Sequence, residues 1–511
     1  VNPAGIIRDP EAAARESYDL IIVGGGIYGA MLALESSLGG LRSLLLERED
    51  FGGATSFNSL RIIHGGLRYL QGLDLPRFFE SVAERRWLLK TFPEQVRPLP
   101  CLMPLYGQGL KRPAILRLAL AINDRLSRSG NEGLAENSRL PGSRVIGPTE
   151  VKGIFPAVDP RDLRGGAVWY DAAMEDSQRV LMGVLRWACA SGARVLNYVE
   201  ARELLRTASG VAGVRAWDQE SGQGYEFRSG VVINAAGPWC REVAARFDRD
   251  PTGLFHPSLA WNVVFDRAAL SPMALGLAPK SGKAPMYFLR PWKGKLLAGM
   301  GHHPGSEMRR DPRPSPAQML EVIGHLNQAV PGLDLSPDEV LRVFAGWLPV
   351  SREGSLELTT RGVFIDHQKI GGPPGLYSIS GVKFTTARRA AAKILDRIFS
   401  RQKERFDKQI IGEPVGSAES GRGVFPYDWF PPPGDREWQK DLKTIIEEES
   451  VVHLEDLIFR RTSLGDNLRR AGQAAEEIGS LFPWDKDRRQ QEQAALRERI
   501  RVLIEETTHG E

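Results

Sequence analysis

The residues best suited by type and spacing to chemistry lie near the start of the chain. Gly24, Gly26 and Gly29 follow the apolar run Leu20 to Val23 and give GxGxxG at the carboxyl end of what reads as a buried strand. Gly24 permits the tight turn, Gly26 lets backbone N–H groups approach a pyrophosphate, and Gly29 lets the helix opening at Ile27 and Tyr28 pack on the strand. A second apolar run, Leu44 to Leu46, ends in Glu47 and Arg48, roughly 20 residues on, where a ribose-binding carboxylate belongs. A carboxylate there disfavours a 2′-phosphate, so FAD or NAD fits better than NADP. The plain alternative is a glycine-rich turn followed by a core strand ending in a surface glutamate, which the full strand, turn, helix, strand order disfavours.

Three further stretches offer groups that a bound dinucleotide would organise. In Ala54 to Leu70, the small polar Thr55 and Ser56 precede Arg61, His64, Gly65, Gly66 and Leu67. Arg61 brings a cation and His64 a titratable imidazole, while the paired glycines remove side chains where backbone must approach something flat. Composition alone would equally allow a polar loop holding a satisfied histidine. Val231 to Trp239 reads as a buried strand ending in Asn-Ala-Ala-Gly-Pro, so Ala235, Ala236 and Gly237 present backbone at a sheet edge. Gly375 to Arg388 reads as strand, turn and helix start, with Gly381, Lys383, Phe384 and Thr385 at the turn and an amino terminus that could face a flavin's electron-rich edge. Ala201, between the strand-like runs 193–199 and 203–208, completes the expected cofactor-binding set.

The elements that must position these groups fill a chain of 511 residues, long enough for two or three domains. Its 67 basic and 63 acidic residues leave +4, too little to imply nucleic acid as a partner. Cys101, Cys189 and Cys240 lack metal-ligand spacing, so no metal site and no disulfide framework is expected. No apolar run reaches the roughly 18 residues that would span a bilayer, and the first ten residues lack signal-peptide order. The expected location is cytoplasmic, or peripheral to the inner face of the cytoplasmic membrane. The second option rests on residues 111–128, an amphipathic helical pattern with Ile115, Leu118, Ala119, Ile122 and Leu126 on one side and Arg117, Arg125 and Arg128 beside it. Most such helices merely cap a core.

Periodicity and turn signals predict an α/β plus α architecture with a discontinuous Rossmann-type FAD-binding domain, a mixed or antiparallel-sheet substrate domain and a helical tail. The cofactor domain is expected over residues 18–75, 145–245 and 363–400, and the substrate or cap domain over 76–144 and 246–362. Residues 401–435, rich in Gly and Pro, read as a linker, and 436–511 as a helical domain.

The ordered set GGGIYGA, LLLERED, TSFNSLRIIHGGLRYL, NAAGPW, SGVKFTTAR and LEDLIFRRTSLG resembles FAD-dependent glycerol-3-phosphate dehydrogenases, a branch of the amino-acid-oxidase-like flavoproteins. The resemblance implies FAD, hydride transfer from a secondary alcohol to the flavin, and electron delivery to a quinone. Arg61 takes the place of the family's basic residue before His-Gly-Gly, Lys383 and Arg388 match its GGKLTTYR-like segment, and Arg361 matches an arginine for the substrate phosphate. His64 and His302 become the candidate bases, with Arg61, Arg361 and Lys383 holding substrate or developing charge.

Departures from the family pattern gather at the substrate. Leu348 stands in GWLPV where the family has a second phosphate arginine, and Asn262 stands in LAWN where it has a histidine; GMGH places His302 in a third changed segment. Arg352 or His303 could compensate. A small alcohol, a hydroxy acid, a polyol or an amine therefore all stay open as substrate. A non-catalytic flavoprotein scaffold is the alternative of another class.

Overall fold

The computed structural model describes residues 5–107, 112–279, 285–305, 308–400, 422–432 and 436–508. Leu20–Val23 has all four side chains buried, as its unbroken apolar run requires, and it lies at the centre of a six-stranded sheet. Ser43–Leu46 and Arg194–Leu196 follow on one side, Val232–Asn234 and Leu376–Ser380 on the other, all parallel, with Val363–Asp366 antiparallel at the far edge. The helix Ile27–Leu38 leaves the central strand and is buried along much of its length between the helices Ser177–Ala190 and Ala387–Phe399. A four-stranded sheet of Ser17–Tyr18, Gly224–Ser229, Gly210–Asp218 and Val199–Thr207 covers the opposite face, with Val214, Phe227 and Leu44 in the layer between them.

The second layer is a mixed nine-stranded sheet. Val340–Pro349, Pro257–Phe265, Lys295–Pro304 and Tyr287–Trp292 form an antiparallel run that continues through Ala274–Leu277, Val96–Leu105, Gly165–Met174 and Ile62–Ile63. This corrects the expected boundary at residue 145, because Arg144–Ile146 and Gly165–Met174 belong to this sheet and not to the cofactor domain. A buried apolar strand looks the same in sequence whichever sheet receives it.

The tail carries Glu437–Glu448, one π-helical turn at Asp456–Arg461, Leu468–Gly479 and Lys486–Thr508, closed on Leu442, Ile445, Leu457, Ile458, Ala475 and Ile478. Most of the expected linker lies outside the described residues. Its described part is no free linker: Phe425 N–H donates to Ser463 Oγ at 2.7 Å, and Trp429 meets Trp438 edge to face at 5.6 Å.

Polar seams join the tail to the rest. Arg179 bridges to Glu449 at 2.7 Å, Tyr198 OH donates to Asp456 at 2.6 Å, and Lys293 meets Asp466 at 2.6 Å. His453 lies 2.8 Å from Glu492 and 3.1 Å from Glu220. Burial pulls the His453 pKa down, but the two carboxylates outweigh it and lift it to about 10. A folded value above the unfolded one of about 6.5 makes the contribution complete below that pH and lost as pH rises through 10. His453→Gln should therefore cost on the order of 1–2 kcal/mol of unfolding free energy near pH 6, a difference that fades towards pH 10 in denaturant titrations run across that range.

Candidate functional site

The glycine turn has the shape a dinucleotide needs. Gly24 sits at φ +113°, and a Cβ there would lie 2.6 Å from Ala235 O. A Cβ on Gly29 would lie 1.9 Å from Gly24 O, so the helix can approach the strand only without one. Gly26 differs: its φ of −73° is ordinary and its Cβ would meet only Ser56 Oγ, at 3.3 Å. Gly26 N-caps the helix without a side-chain hydrogen bond, leaving its amino end to backbone N–H groups and the positive end of the helix dipole. Ser56 Oγ accepts from Ile27 N–H at 3.0 Å.

Glu47 ends the second strand as expected. Its carboxylate accepts from Gly25 N–H at 2.6 Å and from Glu49 N–H at 2.9 Å, which leaves lone pairs for ribose hydroxyls. Burial raises its pKa, and the two N–H donors oppose that. Arg48 stacks at 4.6 Å over Trp239, and a polar cavity of about 390 Å³ opens beside it, lined also by Glu200, Arg202, Trp217, Gln219 and Arg310. Ala201 is buried one residue beyond Glu200. Ala235, Ala236 and Gly237 follow Asn234, whose Oδ1 accepts from Ala236 N–H at 3.2 Å. A glycine cradle, a helix amino end whose N-cap Gly26 brings no side chain of its own and a carboxylate at the second strand fit FAD.

At the catalytic end the sequence reading needs two corrections. Arg61 is fully buried, with its guanidinium between Trp292 (4.7 Å) and Phe344 (4.8 Å), 3.6 Å from Asp176 and 3.7 Å from Asp466. Two aromatic rings and two carboxylates thus take up the Arg61 guanidinium inside the protein. Its φ of +61° is strained for a non-glycine residue, and the ion pairs hold it there. The second correction concerns the glycines. A Cβ on Gly65 would collide with the Arg85 guanidinium, and one on Gly66 would press on Phe78 and Ser81, so both serve the packing of the helix Leu75–Thr91.

His64 faces outward beside a buried acid. Its side chain is about half exposed (48%) and its Nδ1 lies 3.0 Å from Asp171 Oδ2. Asp171 is buried and also receives Gly65 N–H at 2.7 Å, Arg85 at 3.3 Å and Trp169 Nε1 at 3.4 Å. Burial pushes the Asp171 pKa up, but His64, Arg85 and the Gly65 N–H outweigh it and leave it below the usual value. An anionic Asp171 fixes the proton on His64 Nδ1, so Nε2 is left as a base. Asp171 escaped the sequence reading. Its signal was an acid inside the apolar strand GAVWYDAAM, since a buried carboxylate needs partners.

The nine-stranded sheet presents one face to this place. Phe288 lies 5.4 Å from the His64 ring, and register carries the same face through Gly299, Asn262 and Phe344. His302, Ala260 and Gly346 form the next row, and Ser258 with Leu348 the one after. Thr55 Oγ1 donates to Trp347 O at 3.0 Å, joining the cofactor loop to this sheet. Burial, then His303, lowers the His302 pKa, so the ring is neutral at neutral pH. Asn262 is buried, with its Oδ1 held against Gly299.

Lys383 donates to Tyr69 OH and lies 4.4 Å over that ring, joining the KFTT turn to the HGGLRYL helix that also carries Leu67. The Val382 and Lys383 N–H groups do not stand open to a flavin edge, because both donate to the Tyr28 hydroxyl, at 3.1 and 3.5 Å. A Cβ on Gly381 would strike the Tyr28 ring. Phe384 packs at the core and Thr385 is buried. Arg361 is exposed, in a loop where Thr360 accepts from Arg77 at 2.7 Å. Arg352 and His303 are also exposed, and Arg388 is committed to Glu84.

A mainly parallel sheet with a dinucleotide-type glycine turn, packed beside a nine-stranded mixed sheet that carries a histidine–carboxylate pair, is an architecture suited to a flavin-dependent oxidoreductase. The profile described as "DAO: FAD dependent oxidoreductase" matches residues 19–396, and the chain belongs to this family. It is 30% identical over 421 residues to a glycerol-3-phosphate dehydrogenase of Synechocystis sp., covering 79% of this chain and 74% of that one. A mitochondrial glycerol-3-phosphate dehydrogenase of Arabidopsis thaliana is also 30% identical, over 75% of this chain and 61% of its own. The solved glycerol-3-phosphate dehydrogenase of Bacillus halodurans, complexed with FAD, shares the fold with a TM-score of 0.69 over 98% of each chain at 18% identity. The protein is an FAD-dependent oxidoreductase resembling glycerol-3-phosphate dehydrogenase, and FAD is its cofactor.

The two glycine contacts predict opposite failures. Gly26→Ala should leave the apoprotein's melting temperature within about 2 °C, because its Cβ would meet only Ser56 Oγ, while raising the FAD dissociation constant at least about tenfold if the open side is where the pyrophosphate lies. Gly29→Ala should lower the apoprotein's own melting temperature, because its Cβ meets backbone. Calorimetry and flavin fluorescence quenching on both variants measure the contrast.

Proposed function

We propose that the protein oxidises the secondary alcohol of a small polyol or hydroxy acid, with His64 as the base. The observation that carries this reading is the His64–Asp171 pair: a half-exposed imidazole whose Nδ1 is tied at 3.0 Å to a buried carboxylate. An alcohol must lose its hydroxyl proton as hydride leaves carbon, and an imidazole with a free Nε2 takes that proton near neutral pH. FAD, when bound, supplies the hydride acceptor. His302, neutral on the same sheet face, is the second candidate base. Lys383 is the cation best placed to hold substrate or developing charge, with Arg361 at the rim.

Relatives named glycerol-3-phosphate dehydrogenase make glycerol 3-phosphate the first substrate to test. Leu348 favours a second reading, an unphosphorylated polyol or a hydroxy acid, because it puts a half-buried hydrocarbon on the substrate face of the strand. Stopped-flow flavin reduction separates these readings. His64→Ala should slow reduction by about 10²- to 10⁴-fold without loss of bound flavin, and Asp171→Asn should slow it less. Leu348→Arg should strengthen a phosphorylated substrate over its unphosphorylated form by on the order of tenfold or more. Equal reduction rates in parent and His64→Ala would remove His64 from the chemistry.

The electron acceptor is proposed to be a quinone or another carrier reached at a membrane surface. Among the described residues no helix is long and apolar enough to cross a membrane. The helix Pro113–Leu126, which replaces the expected 111–128 and leaves Lys111 outside the described residues, buries Leu116 and Leu120. It turns Ile115 (40%), Leu118 (65%) and Ile122 (45%) outwards, with Arg117 and Arg125 exposed. An apolar stripe beside guanidinium groups suits an anionic lipid surface. Sedimentation with vesicles carrying anionic lipid should capture the parent and release it with salt, and Arg117→Glu, Arg125→Glu and Arg128→Glu combined should lose capture at unchanged flavin content. A parent that stays in the supernatant at low salt would end the membrane proposal.

A further inference from the structure

Between Glu47 and Arg61 the chain makes an irregular loop that touches the cofactor cradle at Gly25 and Ile27. Gly52 N–H donates to Gly25 O at 3.1 Å, and the Phe51 ring lies where a Cβ on Gly25 would come within 2.9 Å. Ser56 Oγ stands at the first N–H of the dinucleotide helix, and Thr55 reaches the substrate sheet. What stands at the helix amino end, and how the two sheets close over the cofactor, thus depends on the shape of residues 50–57. That segment has no regular secondary structure to fix it.

The groups that do fix it come from the tail. Arg461 is fully buried and grips Asp50 with both guanidinium nitrogens, at 2.5 and 2.7 Å. It is itself held by Glu449 O at 2.8 Å and Ser450 O at 3.3 Å. Asn197 donates to the same carboxylate at 3.0 Å. Arg460, the preceding residue, lies 4.8 Å over the Phe57 ring, and a Cβ on Gly53 would come within 3.5 Å of its guanidinium. One residue therefore holds the start of the loop, and its neighbour covers the middle and the end. Both belong to the π-helical turn Asp456–Arg461, whose wider winding departs from the α-helical course of the tail's longer helices; such turns recur at functional positions.

We propose that Arg460 and Arg461 are positioning residues for FAD: the tail's π-turn clamps residues 50–57 in the one shape that leaves the Gly24–Gly29 cradle open to the cofactor. Arg461 fixes the loop through a two-point fork that a lysine cannot reproduce. Arg460 acts by covering Phe57 and Gly53. The tail is then part of the cofactor site, although it lies about 400 residues from the glycine motif and outside the matched region 19–396.

The test measures FAD binding to the full-length apoprotein, so it needs no substrate and stands apart from the roles proposed for His64 and Leu348. Arg461→Lys keeps the buried charge and loses the fork; Arg460→Ala is made at a partly exposed position. Far-UV circular dichroism selects a temperature at which each apoprotein is folded, and quenching of FAD fluorescence gives the dissociation constant there. The expected rise is tenfold or more for Arg461→Lys and about fivefold for Arg460→Ala, with an altered visible circular dichroism of bound flavin in both. A purely structural role would lower the apoprotein's melting temperature and leave both the constant and the flavin signal in place. Dissociation constants within twofold of the parent in both folded variants would overturn the proposal, and if Arg461→Lys does not fold, Arg460→Ala decides alone.

Discussion

A charge taken out of water must meet an opposite one, and the units of this molecule are joined where that condition is satisfied. Asp50 from the cofactor loop finds Arg461 of the tail. Glu449 finds Arg179 and Arg186 on a cofactor-domain helix. Asp176 and Asp466 enclose Lys293 and Arg61 where both sheets and the tail meet. Removing one member of such a pair leaves a buried ion unmatched, at a cost of roughly 3–5 kcal/mol, which makes each seam specific about what may dock there. Arg61 shows the consequence most clearly, since it lies between aromatic rings with Asp176 and Asp466 beside it.

The same rule builds the proposed catalytic pair, His64 and Asp171, on a smaller scale. Asp171 is buried in a strand and collects donors from His64, Gly65, Arg85 and Trp169. The carboxylate can then stay charged, and a charged carboxylate orients the imidazole beside it. Arg85 in turn needs the space that a side chain at Gly65 would fill. The His-Gly-Gly sequence is thus a device for setting one histidine against one acid.

In the proposed reading, substrate recognition depends on the face of a sheet and not on a single loop. Successive rows across the strands carry Phe288, Asn262, His302, Ala260 and Leu348 towards the cofactor side, so exchanging a few alternate residues changes the pocket without disturbing the strands. Chemistry and cofactor can stay constant while the substrate-facing residues vary.

How much was legible in the sequence follows from how local each determinant is. Gly24, Gly26, Gly29 and Glu47 declared a dinucleotide, FAD or NAD, because a strand, a tight turn and a helix amino end lie within 30 consecutive residues and each imposes its own residue type. The tail's helices declared themselves through period alone. Sheet membership of residues 144–174, the partner of His64, the burial of Arg61 and the meeting of Tyr28 with the Val382 and Lys383 N–H groups were decided only by tertiary structure. Apart from the pairing of 144–146 with 166–168, these contacts join residues about 60 or more positions apart, and a side chain's charge or hydroxyl is the same in sequence whether it meets a ligand, water or another buried group. The choice among them is made by which surfaces close upon each other when the chain folds.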